Sequence, residues 1–308
     1  MENQTIVYML ILSGLSDLPS LQSPLFVVFL LIYLITLTVN LLILLLIFTD
    51  SQLQTPMYFF LGTLACLDTG YSSVTTPRML FDLLTERRDI SVPACITQFY
   101  FFCFFIMSEA FVLAVMSYDR YIAICRPLHY MQIMKWKVCF QFVSGVLVFG
   151  VVHSLVHTLF LAKLNFCRPD ALQNFFCDLP QLLQVSCSDT FINELLIFFF
   201  GIMFGVVILV VTFYPYIPII LTVLKIPSKN MISKAFSTCS SHLTVVFIFY
   251  GSIFFNYLRP NTKYRLTGDK VSSVFYATLT LFLNPLIYSL RNQELKTSLR
   301  RSLQRLQM

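Results

Sequence analysis

Three polar side chains stand alone within long apolar stretches of this 308-residue chain. Asp68 is the only charged residue from position 57 to 77, and Glu109 is the only one from 93 to 118. Asn284 lies in the stretch 271–290, which contains no Asp, Glu, Lys or Arg. Because a polar or ionisable group within a membrane span is costly and is usually retained for a function, we expect these three side chains to meet inside a helix bundle.

A second group with chemical potential is the pair Asp119 and Arg120, followed by Tyr121 in the run MSYDRYIAIC at 116–125. The pair closes a mostly apolar stretch, so it lies where a membrane helix would meet water. An ionisable group buried there without a partner costs several kcal/mol. We therefore interpret Asp119 and Arg120 as parts of a switch.

The run NPLIY at 284–288 predicts a hinge. Pro285 removes a backbone hydrogen bond and kinks a helix. Tyr288, one turn further on, can move into the space that the kink frees. We expect Asn284, Pro285 and Tyr288 to act together as a second part of the switch.

The composition requires a bilayer around these residues. Hydrophobic residues make up 57% of the chain and charged residues 12%, which is too apolar for a soluble domain. Segments long enough to cross about 30 Å of hydrocarbon fall at 24–48, 57–80, 93–125, 138–162, 191–224, 232–258 and 271–290. The sequence thus predicts an all-α membrane protein, a seven-transmembrane helix bundle over 24–290 that follows an extracellular N-terminus at 1–23.

Residues 291–308 are predicted to form a short cytoplasmic helix and tail. Leu295, Leu299, Leu303 and Leu306 share one helical stripe, and the remaining residues are polar and basic. Such a helix is expected to lie against an anionic membrane surface. A disordered basic tail is the alternative.

The distribution of basic residues predicts the orientation, because Lys and Arg are retained on the cytoplasmic side. An extracellular N-terminus places the following residues inside: Arg120, Arg126, Lys135, Lys137, Lys225, Lys229, Lys234, Arg291, Lys296, Arg300, Arg301 and Arg305. These residues line one membrane face, so the net charge of +6 does not indicate nucleic acid as a partner. Asn3, in the sequon Asn3-Gln4-Thr5, then lies outside and is a predicted glycosylation site.

Six blocks in order resemble the olfactory receptors, a branch of the rhodopsin-like (class A) G-protein-coupled receptors. They are PMYFFL at 56–61, LD at 67–68, MSYDRYIAIC at 116–125, KAFSTCSSHL at 234–243, FYGS at 249–252 and NPLIYSLRN at 284–292. The resemblance covers nearly the whole chain. It implies a plasma-membrane odorant receptor, not an enzyme, which binds a small volatile and activates a stimulatory, olfactory-type heterotrimeric G protein to raise cyclic AMP.

The resemblance also assigns roles to the switch residues. Asp119 restrains Arg120 at rest, and activation moves the sixth span outward so that Arg120 receives the G protein. His242 lies in the segment that resembles the moving part, together with Lys234, Ser237 and Ser240. Tyr250 occupies the level where the wider class usually has a tryptophan; an ordinary core tyrosine with a satisfied hydroxyl is the alternative.

For Asp68, Glu109 and Asn284, two arrangements are open. Resemblance to the class implies a water-filled pocket that holds an allosteric sodium ion. The alternative is a hydrogen-bonded pair with one carboxyl protonated, because two close carboxylates rarely both ionise. No other cofactor is expected.

The predicted ligand cavity is apolar. The outer half of the third span has no carboxylate for a cationic amine, and the seventh span has no lysine for retinal. Each buried CH₂ contributes about 0.8 kcal/mol, so micromolar affinity and broad tuning are expected. The predicted lining is Phe102, Cys103, Ile106, Met107, Ile202, Val206, Ile253, Phe254, Tyr257, Ser273 and Ala277.

Four cysteines fall on the exterior side, where disulfides form, and they allow three pairings. Resemblance to the family implies that Cys95 pairs with Cys177, and Cys167 with Cys187. His153 and His157 have the spacing of a metal pair, but without a third ligand they are more simply satisfied polar groups.

Two other functions are weighed against an odorant receptor. A related rhodopsin-like receptor could recognise a non-odorant metabolite or lipid. A transporter or ligand-gated channel would commonly show inverted repeats and broken midplane helices, and the sequence has neither. Two departures from the family pattern are Asn174, where a histidine is common, and the prolines Pro215 and Pro218 in the fifth span.

Overall fold

The computed structural model describes residues 7–16, 18–85, 87–167, 172, 174–225, 229–257 and 273–306. Within these ranges the side chains of 229–238, 255–257, 275–276, 290–291 and 305–306 are not described. The longer helices are α1 (Pro19–Thr49), α2 (Pro56–Thr85), α3 (Val92–Cys125), α5 (Trp136–Leu161), α7 (Phe191–Phe213) and α9 (Lys229–Tyr257). The shorter ones are α4 (Tyr130–Ile133), α6 (Leu179–Gln184), α8 (Tyr216–Val223), α10 (Thr280–Arg291) and α11 (Gln293–Leu306).

Four helical stretches among the described residues are long and apolar enough to cross a membrane: Pro19–Thr49, Val92–Cys125, Trp136–Leu161 and Phe191–Val223. Shorter apolar helices cover Cys239–Phe254 and Ala277–Ser289. The side chains of α1 and α7 that point away from the bundle are large and apolar, among them Phe48 and Phe198. Such a surface is stable against lipid and would not be stable against water.

Proline explains the interruption of the fifth span. Helix α7 ends at Phe213 and α8 begins at Tyr216, with Pro215 between them. Proline has no N–H to donate to the preceding turn, and its ring clashes with the carbonyl four residues earlier. The break therefore occurs where the sequence loses a backbone donor.

Two large side-chain clusters are stacked along the bundle around α3, and a small third cluster of described residues, Tyr216, Ile219, Val223 and Cys239, lies between α8 and α9. The outer cluster includes Tyr71, Phe102, Cys103, Phe176 and Ala277, and the inner cluster includes Leu113, Met116, Phe249, Tyr250 and Tyr288. Three consecutive residues of α3 are packed against both clusters: Phe105, Ile106 and Met107. A displacement of this turn of α3 would therefore change the packing of both the outer and the inner cluster.

A short two-stranded sheet and the loop that follows α5 cover the outer end of the bundle, and together they are called the lid. Strand β1 (Met9–Ile11) pairs antiparallel with β2 (Asp89–Ser91), and Leu12 bridges to Leu172 of the loop that follows α5. Two disulfides hold this loop: Cys95–Cys177, with Cα atoms 5.5 Å apart, and Cys167–Cys187, with Cα atoms 5.7 Å apart. The free cysteines among the described residues are Cys66, Cys103, Cys125, Cys139 and Cys239.

The C-terminal helix α11 is attached to the inner end of the bundle. The Tyr58 hydroxyl donates to Glu294 Oε2 at 2.7 Å and lies 3.0 Å from Asn292 Oδ1, which also caps α11 by accepting from the Glu294 and Leu295 amides. Arg301 pairs with Asp50 at 3.5 Å. Leu295 is buried in the inner cluster, whereas Leu303 is half exposed.

Gly70 of α2 leaves room for the ring of Phe105 in α3. A Cβ at Gly70 would lie 2.3 Å from Cζ of Phe105, whose ring is packed against both clusters. We expect Gly70→Ala to lower the thermal unfolding temperature, because the overpacking cost of about 1–3 kcal/mol exceeds the gain in helix propensity of about 1 kcal/mol.

The matched control is Gly205→Ala, since a Cβ at Gly205 meets no atom within 4 Å. The second variant, Gly70→Ala with Phe105→Leu, should recover much of the lost stability. Equal unfolding temperatures for Gly70→Ala and Gly205→Ala in detergent would show that this contact does not limit packing.

Candidate functional site

The three isolated polar residues meet in the middle of the bundle. Asn284 of α10 donates through Nδ2 to Glu109 Oε1 of α3 at 2.7 Å and to Asp68 Oδ1 of α2 at 3.4 Å. All three side chains are at most 1% exposed. One amide thus ties three helices together at the level between the outer and inner clusters, and we name Asp68, Glu109 and Asn284 the polar cluster.

Two oxygens of the polar cluster accept no hydrogen bond from the described residues. Glu109 Oε2 and Asn284 Oδ1 are buried, and neither has a hydrogen-bond partner among the described residues. The carboxyl groups of Asp68 and Glu109 share the Asn284 amide as donor and are within electrostatic range of each other. Such a set suits a hard cation with oxygen ligands, and it equally suits a shared proton.

Tyr250 joins three helices directly below the polar cluster. Its hydroxyl donates to the backbone carbonyl of Ala110 in α3 at 3.1 Å and lies 3.2 Å from Oγ1 of Thr212 in α7. The hydroxyl is therefore satisfied, and its partners are on two other helices. An inward or outward movement of α9 would break both contacts.

At the inner end of α3, Asp119 is buried and Arg120 is half-buried. The Asp119 carboxylate accepts a 2.8 Å hydrogen bond from the Tyr130 hydroxyl in α4, and the charge of Arg120 is close enough to act on it. Burial and the Asp119 carboxylate raise the pKa of Tyr130, so this hydroxyl stays a donor. Helix α4 is thereby fixed to α3 beside Arg120, and Tyr121 packs between the inner cluster and α8.

Arg120 lies within electrostatic range of two residues that the sequence assigned to the switch or the moving segment, Tyr288 and His242, and of two that it did not, Tyr58 and Tyr216. Its charge acts on side chains from four other helices: Tyr58, Tyr216, His242 and Tyr288. The Tyr216 hydroxyl is hydrogen-bonded to His242 Nδ1, and both side chains are buried. Tyr216 directly follows the helix break at Pro215. This position after a proline is the sequence signal that could have marked Tyr216 as a candidate site residue.

Tyr288 lies within this group, with its hydroxyl unpartnered among the described residues. It follows Pro285 within α10, and a π-helical segment, Phe275–Leu279, precedes α10. The irregular segment and the proline leave α10 with two points of local bending. Of the predicted hinge residues, Asn284 thus belongs to the polar cluster, and Tyr288 is buried in the inner cluster within electrostatic range of Arg120.

Six of the eleven predicted cavity residues lie at or beside the outer cluster. Phe102, Cys103 and Ala277 belong to the outer cluster, Ile106 and Met107 pack against it, and Ser273 is buried beside the outer loop. Ile253 packs against the inner cluster instead. Tyr257 has a side chain outside the described residues, and Asn3 lies wholly outside them.

Three predicted cavity residues face outward: Ile202 is 48% exposed, Val206 55% and Phe254 40%. For Ile202 and Val206, which lie on α7, the assignment to the cavity was wrong in helical phase. The inward face of α7 carries Phe200 and Phe204, two residues earlier in each case, and a shift of two residues turns a helix by about 200°. A uniformly apolar helix gives no sequence signal for its inward face.

Phe200 and Phe204 pack on a polar patch of α5. Phe200 contacts the rings of His153 and His157, and Cys103 Sγ lies 3.5 Å from His153 Nδ1. In the part of the chain that is described, no group of three or more His, Cys, Asp or Glu side chains could hold a metal ion. His153 and His157 are buried, and both rings pack against Phe200.

The outer loop inserts aromatic rings into the bundle. The Phe176 ring lies 5.2 Å from that of Phe102, which in turn meets Tyr71 edge-on at 5.4 Å. Asn174, the departure from the family pattern, donates through Nδ2 to Ser273 Oγ at 3.1 Å. The loop and the last span are therefore joined above the outer cluster.

Comparison with known proteins gives a consistent result. A family model described as "Olfactory receptor" matches residues 29–305. Similar curated proteins include Olfactory receptor 5B12 of Homo sapiens, 48% identical over 98% of this chain and 96% of that protein, and Olfactory receptor-like protein COR5 of Gallus gallus, 51% identical over 94% and 93%. Among solved structures, squid rhodopsin matches with a TM-score of 0.76 at 16% identity, over 99% of this chain and 93% of that one, which shows a shared fold.

Proposed function

This chain belongs to the olfactory receptor family, and from that premise we propose that it binds small, mostly apolar volatiles in its outer half and activates a stimulatory, olfactory-type heterotrimeric G protein. The result of activation is a rise in cyclic AMP. The observation that carries the proposal is the amide of Asn284, which ties α2, α3 and α10 together between the outer cluster and the group around Arg120.

The ligand-binding part of the proposal is supported by the outer cluster. Its residues are apolar and aromatic, and the outer loop covers them with Phe175 and Phe176. A ligand of about ten heavy atoms gains its affinity from apolar contact, and removing one CH₂ changes that affinity only about fourfold. A receptor built this way responds to a family of related volatiles.

The coupling part is supported by the aromatic group around Arg120. A ligand shifts the resting and active populations only if it binds one of them better. The resting arrangement is fixed by Tyr250 bonded to Ala110 and by Tyr216 bonded to His242, both of which connect α9 to neighbouring helices. A ligand that favours an outward position of α9 releases these contacts and makes Arg120 available to the G protein.

As a family member the chain is a multi-pass plasma-membrane protein. We place its N-terminus and the glycosylation site Asn3 outside, because most basic residues of the connections then face the cytoplasm. Helix α11 is proposed to lie along the inner leaflet with its basic residues near lipid headgroups.

The experiment that tests the proposed function is a cyclic AMP screen. Cells that express this chain at the surface are exposed to a few hundred volatiles, and cells with an empty vector serve as the control. Several related volatiles should raise cyclic AMP at micromolar concentration. Ligand-evoked current or uptake that persists without any G protein would instead indicate a channel or transporter.

For the polar cluster we propose a sodium ion in the resting state, held by the carboxylates of Asp68 and Glu109 and by Asn284 Oδ1. The unpartnered oxygens Glu109 Oε2 and Asn284 Oδ1 support this choice. A cation there would offset the repulsion between the two carboxylates.

We expect NaCl to raise the unfolding temperature of the purified receptor relative to choline chloride at equal ionic strength. Asp68→Asn should remove most of that difference, because the site loses an anionic ligand, whereas Asp89→Asn, in strand β2 at the outer end, should keep it. Stability that is insensitive to sodium but increases as the pH falls would indicate the shared proton instead.

A further inference from the structure

On α2 and the last span, two hydroxyl groups in the outer half of the bundle have no hydrogen-bond partner among the described residues: Tyr71 OH and Thr278 Oγ1. Both residues are buried, Tyr71 at 1% exposure and Thr278 at 4%. A buried polar group without a partner lowers stability, because it has lost its hydrogen bonds to water and gained none in return. Such groups usually have a reason outside the folding of the chain itself.

The two hydroxyls are on elements that contact each other. Thr75, one helical turn from Tyr71 on the same face of α2, donates through Oγ1 to the carbonyl of Ala277 at 3.4 Å. Ala277 precedes Thr278 in the π-helical segment Phe275–Leu279. π-helical turns inside helices are frequent at functional sites, because they re-aim side chains at the expense of regular hydrogen bonding.

The surroundings of Tyr71 are those of the proposed ligand site. Its ring meets Phe102 edge-on, and Phe102 is covered by Phe176 of the outer loop. Tyr71 is also within electrostatic range of Asp68 and Glu109 in the polar cluster. A molecule at Tyr71 would therefore touch apolar walls and lie next to the residues that join the three helices.

We propose that Tyr71 and Thr278 form the polar end of the ligand site and select volatiles that carry a carbonyl group, namely ketones, aldehydes and esters. This inference rests on the proposed odorant-receptor function. A carbonyl oxygen has two lone pairs and can accept a hydrogen bond from each hydroxyl, while its alkyl chain occupies the apolar walls. Carboxylic acids are disfavoured because their charge would be repelled by Asp68 and Glu109.

The sequence contains a signal for this role. Tyr71 follows Asp68 by three residues, so both lie on the same face of α2. Sequence reading alone assigned Asp68 to the mechanism but left Tyr71 out of the cavity.

The test uses the full-length receptor, purified in lipid nanodiscs, with thermal unfolding as the readout, so that no G protein is needed. The probes are a panel of volatile ketones, aldehydes and esters, each compared with a hydrocarbon in which a methylene group replaces the carbonyl oxygen. For example, 2-octanone is compared with 2-methyl-1-octene. The variants are Tyr71→Phe and Thr278→Val, and the control is Tyr33→Phe, whose hydroxyl is 3.1 Å from Ser73 Oγ.

We expect carbonyl compounds to stabilise the wild-type receptor at lower concentration than their hydrocarbon counterparts. Tyr71→Phe should weaken each carbonyl about three- to tenfold, as the loss of one neutral hydrogen bond does, and should leave the hydrocarbons unchanged. Without ligand, Tyr71→Phe should unfold at the same or a higher temperature, because the hydroxyl it removes has no partner among the described residues. Tyr33→Phe should bind both kinds of probe as the wild type does.

Three outcomes would overturn the inference. One is a lower unfolding temperature for ligand-free Tyr71→Phe, which would make the hydroxyl a structural group. Another is an equal loss for carbonyls and hydrocarbons. The third is wild-type binding of other volatiles with none among the carbonyls. Carbonyl binding without any cyclic AMP response would refute the proposed coupling and leave this inference standing.

Discussion

Arg120→Ala should abolish the odorant-evoked rise in cyclic AMP while most of the receptor still reaches the cell surface. Arg120 is half-buried at the inner end of α3, and its charge acts on Tyr216, His242 and Tyr288. Alanine removes the cation on which the proposed contact with the G protein depends, but it leaves the outer cluster and both disulfides in place.

The matched control is Arg300→Ala, which removes a basic residue on the same side of the membrane. Arg300 is exposed on α11, and a single exposed charge contributes little to stability. Surface antibody labelling and cyclic AMP should be measured on the same cells. A normal response from Arg120→Ala at normal surface density would contradict the coupling role of Arg120.

Loss of the disulfide between Cys95 and Cys177 should prevent delivery of the receptor to the surface. The bond joins α3 to the lid across 82 residues, and in the chain-entropy description a loop of that length contributes about 4.5 kcal/mol. Since folded proteins have only about 5–15 kcal/mol in reserve, Cys95→Ser and Cys177→Ser should leave most of the chains retained inside the cell.

The other disulfide gives an internal comparison. Cys167 and Cys187 are 20 residues apart, for which the same description gives about 3.3 kcal/mol, so Cys167→Ser should reduce surface density less. Cys66→Ser is the control, because Cys66 is a free and exposed thiol. Normal surface density for both Cys95→Ser and Cys177→Ser would show that the lid does not need its covalent attachment to α3.

The fold and the polar cluster could be predicted because hydrocarbon penalises polar groups so strongly. Asp68, Glu109 and Asn284 stand alone in apolar spans, and no arrangement except mutual contact avoids exposing them to lipid. The same cost of burying charge predicted that Asp119 and Arg120 lie near a helix end, where the helix meets water. These inferences required only residue type and position.

The contacts between apolar residues could not be predicted in the same way. From Leu195 to Val211 helix α7 contains only apolar residues, so Ile202 and Val206 were not distinguished from Phe200 and Phe204 within this stretch. Packing against α3 and α5 fixes the rotation of α7.

Contacts between distant segments were also beyond sequence reading. Nothing local in the chain indicates that Tyr216 meets His242, or that Asn174 of the outer loop meets Ser273. The two prolines gave a partial signal, because Pro215 interrupts the fifth span and Tyr216 follows the break. Such contacts depend on how the helices are arranged in space, which residue type alone does not specify.

The most direct measurement of coupling between the two ends of the bundle is nucleotide exchange on the G protein. Purified receptor in nanodiscs is mixed with a stimulatory heterotrimer, and GDP release is followed with and without a volatile that the cyclic AMP screen has identified. We predict that the volatile accelerates GDP release with the wild-type receptor and has no effect with Arg120→Ala. Folded wild-type receptor that binds the volatile and leaves the rate of GDP release unchanged would contradict the coupling.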